Sequence, residues 1–170
     1  MRAIAALVLL LLSAGAGAAA YDANGVALGG KEADVKRKFP SARCQALEWK
    51  SKAADRRCDD AKIVFAGGVA GRVTFYLKAD VIQAFDVRFE TRELERVTAF
   101  LKKQYGAPLG EAHDTLESKD KKPRKFYKAR WERAAGGGRE HVVLISELDK
   151  SRSSFLASRG DFEEEIYKVR

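Results

Sequence analysis

Few residues in this chain combine the types and spacings that catalysis needs. His113 and Asp114 are adjacent, and adjacent side chains are poorly placed to relay a proton. Ser146 follows His141 within one strand-like run, where neighbours pack or pair across a ladder, and no G-x-S-x-G marks a nucleophile. H-E-x-x-H, a calcium loop and a phosphate-binding loop are all missing from the sequence. The glycines at 136–138 read as a hairpin turn or a longer flexible tip. Asp161, Glu163, Glu164 and Glu165 suit the start of a helix, where the dipole favours acids. The expectation is a non-enzyme with no catalytic residue, no metal and no cofactor.

Cys44 and Cys58 are the two cysteines of the chain. Their spacing is not that of a redox or zinc pair, so in an oxidising compartment they are expected to form a disulfide. The formal charge of +8 favours anionic partners. Its densest stretch runs from Lys119 to Arg133, interleaved with Phe126, Tyr127 and Trp131. In a cytosolic protein that mixture points to single-stranded nucleic acid. The leader described below argues against nucleic acid and for an envelope protein or an anionic envelope surface. The best expected binding surface is the polar face of a sheet: Thr74, Tyr76, Arg88, Lys128 and Arg130, with Asp86 and Glu132 among them. Tyr and Arg are residue types enriched at interface hot spots. Ile82, Val143 and Ile145 share this face if the strands concerned lie side by side.

These side chains need elements to hold them. The clearest is a helix within residues 91–108. Thr91 suits the cap, Leu94, Val97, Leu101 and Tyr105 make one apolar stripe, and Gly106 and Pro108 stop it. A shorter helix spans 31–39, with Val35 and Phe39 on one side and Pro40 behind. Residues 41–60 read as a loop held by the cysteines, its charged part 53–60 exposed. Strands are expected at 62–66, 72–78 and 81–90. In the third, Val81, Phe85, Val87 and Phe89 face one way, and Ile82, Ala84, Asp86 and Arg88 the other. After the long helix come a polar loop at 107–124, strands at 125–133, 140–148 and 151–159, and a helical turn over 161–168. The period is helix, three strands, helix, three strands. It predicts an α+β domain of two tandem helix-plus-three-strand units, about 25–90 and 91–160, with a mostly antiparallel sheet and helices on one face.

Residues 1–20 have the layout of a cleavable secretory signal: Arg2, an apolar run over 3–12, then small residues ending Ala18-Ala19-Ala20. No cysteine closes the apolar run, so no lipid attachment is expected. Residues 21–170 then form one exported domain, with no later stretch long and apolar enough to span a bilayer.

The stretch GVALGGKEADVKRKFP, residues 25–40, resembles the start of small envelope proteins of the SmpA/BamE kind through Val26, Leu28, Gly29, Glu32, Val35, Phe39 and Pro40. The tandem layout is similar to that of β-lactamase-inhibitor proteins, which present a concave sheet to a partner. The resemblance implies a periplasmic module that binds another macromolecule. The leading expectation is therefore a non-catalytic binding or scaffold module of the periplasm. The alternatives are a secreted inhibitor of a hydrolase, with 53–60 or 134–139 as its loop, and a hydrolase with a pocket at His113 or His141.

Overall fold

The computed structural model describes residues 20–166 except 119, 120 and 137. The expected leader lies outside the described residues apart from Ala20, as do the last residues of the expected helical turn. The chain opens on a small hairpin, β1 (Asp22–Ala23) and β2 (Val26–Ala27), and then α1 (Glu32–Lys38). Asn24 and Gly25 both have positive φ, the backbone that a two-residue hairpin turn needs. Four strands follow: β3 (Arg43–Ala46), β4 (Arg56–Phe65), β5 (Val69–Lys78) and β6 (Val81–Glu90). A short 3₁₀ turn (Thr91–Glu93) leads into α2 (Leu94–Tyr105). Four more strands come next: β7 (Gly110–Ser118), β8 (Lys121–Ala135), β9 (Gly138–Glu147) and β10 (Arg152–Arg159). The last described element is α3 (Phe162–Glu165).

Eight strands form one antiparallel sheet in the order β3-β4-β5-β6-β10-β9-β8-β7. The expected α+β arrangement of helix-plus-three-strand units is thereby corrected. The protein is mostly β, 55% strand against 18% helix. The missed strands are β3 and β7, the two edges of the sheet. Edge strands carry charge and need no apolar alternation, so RCQA and GEAHDTLES read as loops. The segment 53–60, expected to be an exposed loop, instead contains the start of β4, with Ala54 and Cys58 buried. Pro123 is tolerated in β8 because it lies beyond Phe126, where pairing with β9 begins.

The core lies between one sheet face and the helices. Val35 of α1 and Val97 and Leu101 of α2 are fully buried against Val73, Phe75, Phe85, Val87 and Leu144. Leu94 and Tyr105 complete the helical stripe from its margins. Thr91 does not cap α2; its hydroxyl lies 2.9 Å from that of Ser153, which donates to buried Ser146 at 2.7 Å. Ile82 joins the core rather than the polar face. A register shift after Tyr76 pairs Leu77 with Ile82, and the extra residue in β6 turns Ile82 over.

The β5–β6 turn is Ala79-Asp80, with φ of 48° and 63°. A left-handed alanine is unfavourable by about 1 kcal/mol, because its Cβ crowds the following carbonyl. Ala79→Gly should therefore raise the melting temperature by roughly 3 °C. Asp80 should be kept, since its carboxylate accepts the Glu32 amide hydrogen at 3.2 Å. A fall in melting temperature would show that position 79 is not left-handed.

Candidate functional site

The face of the sheet opposite α1 and α2 is only partly covered. Residues 47–54 and α3 fold over one part of it. Phe162 and Ile166 pack with Tyr76 and Ala84, and Leu47, Trp49 and Leu156 close the cluster. Two bonds fix the C-terminal segment: Trp49 Nε1 donates to the Ile166 carbonyl at 2.9 Å, and Ser51 Oγ to that of Glu165 at 3.1 Å. Beyond α3 the face stays open and forms two adjoining hollows.

The larger, about 580 Å³, is basic. Arg57, Arg72, Arg88 and Arg152 line it together with Asp59, Glu90, Thr74 and Tyr76. Alternation along β5 puts Arg72, Thr74 and Tyr76 on one face, and the β5–β6 ladder sets Arg88 opposite Arg72. Arg57 Nε lies 2.7 Å from an Asp59 carboxylate oxygen in an ion pair, and its guanidinium lies 5.7 Å over Trp49. Thr74 Oγ1 donates to Asp59 at 3.3 Å. Arg88 Nε bonds Asp86 at 2.8 Å, leaving its side chain 62% exposed. Burial pushes the Asp86 carboxyl above the usual carboxylate range, against the pull of Arg88 and Ser154.

The smaller hollow, about 320 Å³, shares Tyr76 and Arg88 with the first. Its wall is more apolar, with Val143, Ile145, Leu156 and Phe162 beside Asp86, Ser154 and Glu163. Ile145 is 45% exposed, unusual for an isoleucine in a sheet interior. A third hollow, about 330 Å³, lies across α3, where Asp161, Glu163 and Glu164 face Arg130, Arg139 and His141.

Of the expected binding residues, Thr74, Tyr76 and Arg88 come together in the basic hollow. Tyr76 is only 8% exposed, because its ring lies 5.4 Å from Phe162 under α3. Lys128 and Arg130 are not their neighbours. β9 and β10 stand between β8 and β6, so Lys128 is separated from Arg88 by Ile145 and Ser154 in one cross-strand row. Lys128 Nζ pairs with Asp114 at 3.1 Å, and Arg130 bonds His141 Nδ1 at 3.0 Å in the third hollow. Arg57, Asp59, Arg72 and Arg152 were not among the expected residues. Arg72 shares the alternation of Thr74 and was legible. Arg57 and Asp59 were hidden by the loop reading of 53–60, and Arg152 begins a strand of weak pattern.

The other chemical candidates separate. His113 lies 5.1 Å from the Tyr127 ring, whereas Asp114 pairs with Lys128 on the opposite side of β7. His141 faces the open side, and Ser146 is buried on the helix side. Burial, with a hydrogen bond to Glu111, pushes the Tyr127 hydroxyl up to about 12. Glu32, Cys44 and Cys58 converge closely enough to hold an ion. The two sulfurs are joined in a disulfide, however, and Glu32 is held by Lys36 at 2.6 Å and Arg56 at 2.8 Å. That set is a structural bridge beside an ion-pair network.

The disulfide suits an oxidising, exported compartment. No helix among the described residues is long and apolar enough to cross a membrane. No family model, curated protein or solved structure matches the chain.

Proposed function

We propose that this protein is a non-catalytic binding or scaffold module of the cell envelope, exported to the periplasm, that docks a protein on the open face of its sheet. The observation carrying this reading is the pair of adjoining hollows beyond α3, one basic and one with an apolar patch around Ile145. Exposed Ile145 beside guanidinium groups is the mixture of apolar centre and polar rim that protein interfaces use. The likeness of residues 25–40 to SmpA/BamE envelope proteins supports the same reading. Of the loops expected of a hydrolase inhibitor, 53–60 is strand from Arg56 onward, and in 134–139 Ala135 pairs with Gly138 at the end of the β8–β9 ladder.

The test is a crosslinking pull-down of the tagged mature protein from its own envelope. Wild type should capture a stoichiometric protein, and Ile145→Asp should lose it by roughly tenfold or more, as for a central interface residue. Lys103→Glu, on exposed α2 surface, should change nothing. Retention on lipid or cell-wall material alone, or capture indifferent to Ile145→Asp, overturns the proposal.

A further inference from the structure

The geometry points to an acidic polypeptide segment as the occupant of the open face: carboxylate side chains in the arginine hollow and, a residue or two away, an aromatic or aliphatic side chain in the apolar hollow. This deepens the docking reading and rests on it. Four arginines against Asp59, Glu90 and the Asp86 that pairs with Arg88 leave the larger hollow positive. Guanidinium groups bind carboxylates through paired parallel hydrogen bonds, which fixes orientation as well as charge. The second hollow opens from the first across Tyr76 and Arg88, so one extended segment reaches both.

The chain already seats such a segment on this sheet. Residues 161–166 read Asp-Phe-Glu-Glu-Glu-Ile. Their Phe162 and Ile166 enter the apolar cluster, while Asp161, Glu163 and Glu164 line a hollow with Arg130, Arg139 and His141. The same face thus accepts acids beside apolar anchors on one side of α3 and offers the matching chemistry, unfilled, on the other. A membrane surface fits less well. The arginines line a hollow rather than a plane and are interleaved with Asp59 and Glu90, whereas a bilayer presents a flat, dense layer of phosphates.

The experiment is selection of a phage-displayed random peptide library on the intact mature protein, with counter-selection on the Arg72→Glu/Arg152→Glu variant. Both arginines are exposed, so the variant should melt close to wild type. Recovered peptides should carry Asp or Glu near Phe, Ile, Leu or Trp. The most enriched one, labelled with fluorescein, should lose affinity roughly tenfold or more on Arg72→Glu/Arg152→Glu, and likewise on Ile145→Asp. The same loss should follow when its acids are changed to amides. No enrichment, enrichment without acids, or affinity indifferent to the arginines overturns the inference. So does co-sedimentation with phosphatidylglycerol vesicles through Arg72 and Arg152 in the absence of peptide binding. If the pull-down partner is lost on Ile145→Asp but kept on Arg72→Glu/Arg152→Glu, docking stands and the acidic segment falls.

Discussion

Glu140→Ala should destabilise the fold by about 3 kcal/mol, the cost of leaving buried charge without its partner. Glu140 is only 4% exposed. Its two ladder partners are Arg133 on β8 and Arg159 on β10, so an Arg–Glu–Arg row crosses three neighbouring strands. Arg133 Nε donates to one carboxylate oxygen at 2.8 Å, and Arg159 Nε lies 3.7 Å from the other. The arginine side chains are 19% and 23% exposed, so water screens them poorly. Arg133 also lies 4.7 Å over the Tyr21 ring, which ties the N-terminal hairpin to the sheet. Loss of the carboxylate leaves two guanidinium groups close together with no counter-charge. In urea unfolding the midpoint should fall with little change in slope, a drop in melting temperature of about 9 °C. Replacing all three residues by Met, Leu and Met should restore most of the loss, since an apolar row removes the stranded charge as well as the pair. A cost below ~1 kcal/mol for Glu140→Ala would place the carboxylate in contact with solvent, where ion pairs are worth that little.

The parts of this fold that were legible in the sequence are those where one face must be apolar. Val73, Phe75 and Leu77 fixed the inward side of β5, and Tyr127, Ala129 and Trp131 that of β8; all six are buried. The stripe on α2 was legible for the same reason, and the Cys44–Cys58 bridge from an isolated pair, not spaced as a redox or zinc pair, in a chain expected to be exported. What escaped follows physical rules that periodicity does not carry. β3 and β7 are edges, β4 changes register between Cys58 and Ala61, and β6 changes register near Ile82. Each shift breaks the period of two that the reading relied on. The candidate surface suffered most from long-range order. That β10 inserts between β6 and β9 is a pairing 62 to 74 residues apart in sequence, and no local pattern encodes it. The insertion separates Lys128 from Arg88 and brings Arg152 beside Glu90. Tyr76 looked exposed because alternation says which face a residue takes, not what later covers it; Phe162 does.

The second large effect is expected at the cysteines. Cys44→Ala/Cys58→Ala should cost about 3 kcal/mol, the chain-entropy value for a loop of this size, and about 9 °C in melting temperature. The bridge closes a separation of 14 residues and joins opposed positions of β3 and β4. β4 also pairs with β5 from Arg56 to Phe65 across one register shift, whereas β3 pairs with β4 alone among the described strands. Loss should therefore be local first. Amides of residues 43–46 should exchange faster with solvent than those of β4, and the wild type with reductant should behave like the variant. The consequence for the candidate surface follows from what β3 leads into. Residues 47–54 hold Leu47 and Trp49 against the open-face cluster, and Trp49 Nε1 donates to the Ile166 carbonyl. Trp49 and its neighbour Glu48 also hold Arg57, the guanidinium at 5.7 Å from the ring and 3.1 Å from the carboxylate. Freed from the bridge, this segment should release both α3 and one arginine of the basic hollow. Peptide affinity should then fall under reducing conditions at temperatures well below melting. Unchanged affinity in the variant would confine the bridge to stability and leave the hollow to be held by β5, β6 and β10 alone. Alkylation of the exported protein without reduction should modify neither thiol; two labelled cysteines would remove the premise.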